Sequence, residues 1–239
     1  MKGMKFTMGA LAIAMVLSGC GKMTNTGKGA IIGTTAGAAA GTGLGALIGK
    51  LTGNTKMGAG IGAAAGAAVG ATAGTLIGRK MDKAAKAAAA VANAEVETTT
   101  DGKGLEAVKV TFDNGILFSV GKAALTSKAQ SSLQQFAKNV LNVYTDCDVA
   151  ILGFASSDGS DATNLTLSQN RANAVKNYLT GTCGVQGSQI KSTEGYGEDP
   201  QYLIMDANGK EDRNASRRVE VYLYASDAMI AAANAGTLQ

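Results

Sequence analysis

The chain has 239 residues, 46% of them hydrophobic, with 33 glycines, one proline, no tryptophan and a formal net charge of +4. It contains no histidine, which removes the commonest acid/base group and metal ligand, so no cofactor, no metal centre and no enzymatic activity are expected. Residues 20–90 carry eight basic groups against one acid, and residues 91–239 carry twelve against seventeen. The basic part suits anionic lipid headgroups, the acidic part reads as a soluble module, and the distribution gives nucleic-acid binding no support.

Lys2 and Lys5 precede an apolar run from Met8 to Leu17 that is too short to span a bilayer, so residues 1–19 read as a secretory signal. The run ends in Leu17-Ser18-Gly19-Cys20, which resembles the lipobox of bacterial lipoproteins, where the cysteine is acylated and becomes the mature N-terminus. An ordinary signal peptide with a chance cysteine is the alternative. The resemblance implies acyl chains (palmitate among them) on Cys20, and two or more such chains anchor a protein stably to a leaflet. Gly21 rather than Asp follows the cysteine, which favours the outer membrane over inner-membrane retention.

Residues 29–78 form an internal duplication. Gly29, Gly33, Gly37, Gly41, Gly45 and Gly49 recur at every fourth position, and Gly58, Gly62, Gly66, Gly70, Gly74 and Gly78 repeat the series. Neither repeat holds a charge, whereas Lys28, Lys50, Lys56, Arg79 and Lys80 bracket them. At 1.5 Å per residue a repeat reaches about 31 Å, close to a hydrocarbon core. Period-four glycine lets two helix backbones approach closely in lipid, but each glycine costs about 1 kcal/mol in water, so packing must compensate. The reading is a helical hairpin turning at residues 51–55, similar to the glycine-zipper segments of outer-membrane lipoproteins; a flexible Gly/Ala linker is the alternative.

Residues 79–93 read as an Ala- and Lys-rich helical linker. After it, strands are expected over 95–100, 107–112, 116–120, 148–153, 190–196 and 217–224, and helices over 126–143 and 167–180. Residues 226–239 read as a loose, weakly helical tail. Alternating strands and helices imply an α/β (α+β) two-layer sandwich with helices on one face. Cys147 opens a strand and Cys183 closes the following antiparallel helix, so a disulfide between them is expected in an oxidising compartment; two free thiols are the alternative.

The most informative stretch runs from Gly153 to Leu179: strand, polar loop, helix. Thr166 with Gln169 three residues on has capping-box spacing, and Ala172, Val175 and Leu179 give the helix one apolar face. Arg171 lies beside that face, where its planar fork suits a carboxylate, while Ser156, Ser157, Asp158, Asp161 and Asn164 offer partners for an ammonium group. A zwitterionic amino acid fits such a seat; a structural pairing of Arg171 with a loop carboxylate is the other reading.

Asn164, Leu167-Ser168, Arg171-Ala172, Val175 and Leu179, with Gly195-Tyr196-Gly197-Glu198 and Arg217-Arg218-Val219-Glu220-Val221, resemble the OmpA-like C-terminal domain family over roughly residues 105–225. The resemblance implies a βαβαββ-type periplasmic domain that binds peptidoglycan. It also implies that Arg171 holds the carboxylate of the stem-peptide diamino acid. The family's ammonium-binding Asp is replaced here by Ser156, with Asp158 two residues later, so either Asp158 substitutes or the ammonium group goes without that partner. Ser216 replaces the family's Asn before the arginine pair. Alternation sends Arg217 and Arg218 to opposite faces, and the resemblance favours Arg218 beside the site.

The implied organisation is a signal over 1–19, a lipidated tether over 20–28, a membrane hairpin over 29–78, a linker over 79–93, the peptidoglycan-binding domain over 94–225 and a tail over 226–239. Its partners are the peptidoglycan stem peptide, membrane lipid through Cys20 and the hairpin, and other copies of itself. The implied place is the outer membrane, lipid-anchored, with the C-terminal domain in the periplasm. The competing reading is a glycine-zipper membrane oligomer or scaffold whose domain has lost or altered its ligand.

Overall fold

The computed structural model describes residues 69–238, so the signal, Cys20 and most of the expected hairpin lie outside the described residues. Its elements are helix α1 (Ala71–Ala89), strands β1 (Ala94–Thr100) and β2 (Glu106–Asp113), the short helix α2 (Asn114–Leu117), and helix α3 (Ser127–Phe136), which runs on into one π turn (Ala137–Leu141). Strand β3 (Cys147–Gly153), helix α4 (Asp161–Gly181), strand β4 (Ile190–Gly195), the short helix α5 (Arg213–Ser216), strand β5 (Arg218–Ala225) and helix α6 (Asp227–Asn234) complete it.

The five strands form one sheet in the order β1-β2-β5-β3-β4. The last strand inserts between β2 and β3, antiparallel to both, while β3 and β4 pair in parallel across the α4 crossover. This insertion follows from composition. Residues 218–225 are buried throughout, with Val219, Val221 and Leu223 facing the helices and Tyr222 and Tyr224 the other side. Such a strand belongs in the middle of a sheet. The helix-side core joins Val110 and Phe112 of β2 and Val149 and Ile151 of β3 to Leu133 and Phe136 of α3 and to Ala172, Val175 and Leu179 of α4. The opposite face is closed by Leu152, Phe154, Tyr222 and Tyr224, with Tyr196 and Tyr202 packed against them. The expected two-layer sandwich is thus the fold.

Four local expectations are corrected. Residues 116–120 are not a strand: the Gly115 amide donates to Asp113 Oδ1 at 2.6 Å, tightening an Asn-Gly turn into α2 and leaving a single bridge between Phe118 and Leu125. The tail is docked: Ser226 caps α6, whose Met229 and Ala233 are buried in the core. Helix α4 begins at Asp161 with Ser160 as its cap, six residues before the expected start, so Thr166 is interior and its hydroxyl bonds back to the Ala162 carbonyl.

The fourth correction concerns residues 71–93. Helix α1 is neither a linker nor the end of a hairpin set apart from the domain; it packs on the sheet. Ile77, Met81, Ala84 and Ala88 are fully buried in the main core. Their spacing of four, three and four residues makes one apolar stripe. No helix among the described residues is long and apolar enough to cross a membrane.

Glu106 opens β2 beneath this helix, facing Gly78 and Asp82 of α1, and its Oε1 is buried without a hydrogen-bond partner among the described residues. Burial, and then the nearby Asp82, lift its carboxyl from 4.5 to about 7. The folded protein therefore binds a proton that the unfolded chain releases above pH 4.5, and the stability this contributes is lost as pH rises through 7. Burial also lifts Asp101 to about 6, which acts in the same sense. The thermal midpoint is expected to fall between about pH 4.5 and 7.5, and Glu106→Gln to flatten that slope. Circular-dichroism melts across the range check it, and a wild-type profile that rises over the same interval contradicts it.

The expected disulfide is absent. Cys147 and Cys183 are both free thiols, the first buried on the helix side of β3 and the second half-buried beyond the end of α4. The Asn142 side chain, just past the π turn, donates to the Cys183 carbonyl at 3.0 Å. Burial raises both thiols, Cys147 to about 12, so neither is a ready thiolate.

Candidate functional site

The site sits where β3 ends and α4 begins. Past Gly153 the chain is clamped on both sides: the Phe154 amide donates to the Arg218 carbonyl at 2.9 Å, and the Ala155 amide to the Gly197 carbonyl at 2.7 Å. Helix α4 presses directly onto the strand ends. A Cβ on Gly153 would lie 2.2 Å from the Ser168 carbonyl oxygen, and one on Gly195 would lie 2.2 Å from the Gln169 nitrogen. Side chains of the same helix turn then fasten it, since Ser168 Oγ accepts from the Gly197 amide at 2.8 Å and Gln169 Oε1 from the Gly195 amide at 2.9 Å. Gly153→Ala is expected to push α4 away, lowering stability by about 1–3 kcal/mol and displacing Arg171. A thermal melt measures the first effect, and an unchanged midpoint contradicts the close-packing account.

Arg171 follows in this anchored helix, three residues beyond Ser168. It is 2% exposed; its Nε donates to the Lys122 carbonyl at 3.1 Å, and its guanidinium lies 5.4 Å from the centre of the Phe118 ring. Among the described residues no carboxylate pairs with it and only Nε is hydrogen-bonded. Burial, and then the neighbouring Arg217, lower its pKa to about 10. A desolvated cation with both terminal nitrogens unclaimed is an anion seat, and it opens into a cleft of about 670 Å³. The alternative expectation, that Arg171 pairs structurally with a loop carboxylate, is not what the chain does.

The loop residues divide into supports and charges. Asn164 Nδ2 donates to the carbonyls of Ser156 at 3.2 Å and Asp158 at 2.9 Å and to the Glu198 carboxylate, so it shapes the loop rather than reaching outward. Buried Ser156 donates its hydroxyl to Asp158 at 3.2 Å. Asp158 is further held by Arg213 Nη1 at 2.9 Å and Arg217 Nη1 at 3.3 Å. The Ser157 amide and hydroxyl are both bound by Glu211. All of Ser156, Asp158, Asn164 and Arg171 line the cleft.

Arg218 does not. Its Nε donates to Glu220 at 2.6 Å, its Nη1 to the Tyr202 and Ser216 carbonyls, and its guanidinium lies 4.1 Å from the centre of the Phe154 ring on the far side of the sheet. Arg217 is the arginine that lines the cleft. Alternation only sends the two arginines to opposite faces, and they do part; the choice of Arg218 rests on the resemblance, whereas Arg217, the cap residue at the end of α5, is the one at the cleft. Sequence reasoning also missed Phe118, Asp113 and the Lys122 carbonyl, which reach the site from β2 and the turn after it; reading that turn as a strand hid them.

A parallel β3-α4-β4 unit carrying a buried, uncompensated arginine over a polar loop is the class of site these residues define. Residues 117–217 match the OmpA family and residues 36–85, which run into α1, the glycine zipper, so the chain carries an OmpA-like domain preceded by a glycine-zipper segment. Among its relatives, Outer membrane porin F of Pseudomonas aeruginosa is 31% identical over 115 residues, covering 48% of this chain and 31% of the relative. Outer membrane protein P5 of Haemophilus influenzae is 39% identical over 95 residues, covering 39% of this chain and 26% of the relative. The chain thus spans under a third of the length of either. A solved structure, the cell wall anchor of the T6SS from Pseudomonas aeruginosa, overlaps 61% of this chain and 97% of its own at 22% identity with a TM-score of 0.47.

Proposed function

We propose that this protein is a lipid-anchored envelope protein that ties the outer membrane to peptidoglycan by non-covalent binding, with Arg171 holding a carboxylate of the stem-peptide diamino acid. The observation that carries the reading is the buried guanidinium, without an acidic partner among the described residues, lining an open cleft. Val120, 98% exposed, and Leu167 line the same cleft and suit the methylene chain of a diamino acid. The relatives named above are outer membrane proteins, which fits the proposed place. Acylation at Cys20 and insertion of the part of residues 29–78 that precedes α1 belong to the proposal and supply the membrane end of the tether. The role is binding, without chemistry on the ligand.

The test is co-sedimentation of the full chain, in detergent, with purified peptidoglycan, with and without free diaminopimelate. Binding that the free amino acid displaces supports the reading; a folded protein that stays in the supernatant contradicts it. The zipper-scaffold reading has one observation in its favour, that Asp158, the acid two residues past the family's position, is already engaged by two arginines. It predicts detergent-resistant oligomers that disappear on Gly66→Leu and no wall binding.

A further inference from the structure

Two carboxylates line the Arg171 cleft, Asp113 and Asp158. They are not equivalent. Asp158 receives Arg213, Arg217 and the Ser156 hydroxyl, so an ammonium group approaching it meets two guanidiniums around one negative charge. That environment repels a cation.

Asp113 closes β2 and is exposed. Among the described residues its side chain forms no ion pair, and its only hydrogen bond is from the Gly115 amide to Oδ1, which fixes the direction of the carboxylate and leaves Oδ2 unused. The residue opposite it across the strands, Arg218, is committed to Glu220 and two carbonyls. Asp113 also lines an adjoining hollow of about 510 Å³, which shares Asn214 and Arg217 with the first cleft. In that hollow Glu97 pairs with Lys109 at 2.5 Å and Glu220 with Arg218, whereas Glu95 has no ion pair among the described residues. Uncompensated charge therefore runs from positive at Arg171 to negative at Asp113 and Glu95.

We infer that Asp113, in place of Asp158, meets the ammonium group of the ligand whose carboxylate Arg171 holds. The inference rests on the proposed reading of the cleft as a seat for a zwitterionic diamino acid, and it names the residue that takes over from the family's Asp. A carboxylate already oriented by a backbone amide and free on one oxygen is pre-organised for a charge-assisted hydrogen bond.

The test compares full-chain wild type, Asp113→Asn, Asp158→Asn and Arg171→Met for binding to purified peptidoglycan, with diaminopimelate and pimelate as competitors. Asparagine at 113 keeps the acceptor for the Gly115 amide, so thermal midpoints should match. Asp113→Asn is expected to weaken binding about tenfold and to abolish the preference for diaminopimelate over pimelate, which lacks the amines. Asp158→Asn should keep that preference. A purely structural Asp113 would leave the competitor preference intact, and that result, with binding still abolished in Arg171→Met, overturns the inference while the tether reading stands. Wild type that does not bind, or binding that Arg171→Met leaves unchanged, overturns both.

Discussion

Arg171→Met is expected to reduce peptidoglycan binding by roughly 30-fold to several thousand-fold, the range that follows from losing about 2–5 kcal/mol of charge-assisted interaction with a buried partner. The same change should leave the fold intact. Arg171 has no acidic partner among the described residues whose charge would be stranded, and replacing a desolvated cation by an apolar side chain of similar length is neutral or stabilising. Loss of binding without loss of stability separates a ligand-holding arginine from a structural one. Arg171→Lys sharpens the test: it keeps the charge but not the planar fork, and one hydrogen bond fewer should cost about tenfold. A variant that melts several degrees lower while binding normally would place Arg171 in the core architecture instead.

The second large effect concerns α1. Ile77→Asp is expected to unfold the OmpA-like domain, because it puts a carboxylate where a fully buried side chain packs against the sheet. Burying an unpaired charge costs more than about 4 kcal/mol, a large part of the roughly 5–15 kcal/mol that holds a typical domain together. Ile77→Val, which removes one methyl, should cost about 1 kcal/mol, so the pair gives a graded response. A fragment beginning at residue 94 should be unstable for the same reason, since it uncovers the surface that Ile77, Met81 and Ala88 protect. If α1 were only a stalk, Ile77→Asp would leave the melting curve of the soluble region unchanged.

The legible parts of the sequence are those where one period dominates. Strands β1, β2, β3 and β5 show alternation or a continuous apolar run, and the helix bearing Ala172, Val175 and Leu179 shows a clean apolar stripe. Where two signals share residues the reading fails. In residues 71–89 the glycine period at 74 and 78 overlies the core stripe at 77, 81, 84 and 88, and the glycines are the louder signal. The Asn-Gly turn after β2 ends a strand that the apolar residues 116–118 suggest is restarting, although Leu117 and Phe118 are buried from a helix turn and a bridge.

The site is legible to the extent that its residues are local. Arg171, Ser156, Asp158 and Asn164 lie within one strand-loop-helix unit, and all four line the cleft. What spacing does not convey is how the charges pair. Arg213 and Arg217 arrive from α5 and its end, more than fifty residues after Asp158, and neutralise it; Asp113 arrives from β2, more than forty residues earlier, and remains unpaired among the described residues. A family pattern carries the arginine across but says nothing of an acid that reaches the same cleft from another element.

The most direct test is calorimetric titration of diaminopimelate into the full-length protein and its Arg171→Met variant at neutral pH. The account predicts saturable one-site binding to the wild type and no measurable heat of binding to the variant. Equal binding by the two proteins, or none by a wild type that melts cooperatively, contradicts it.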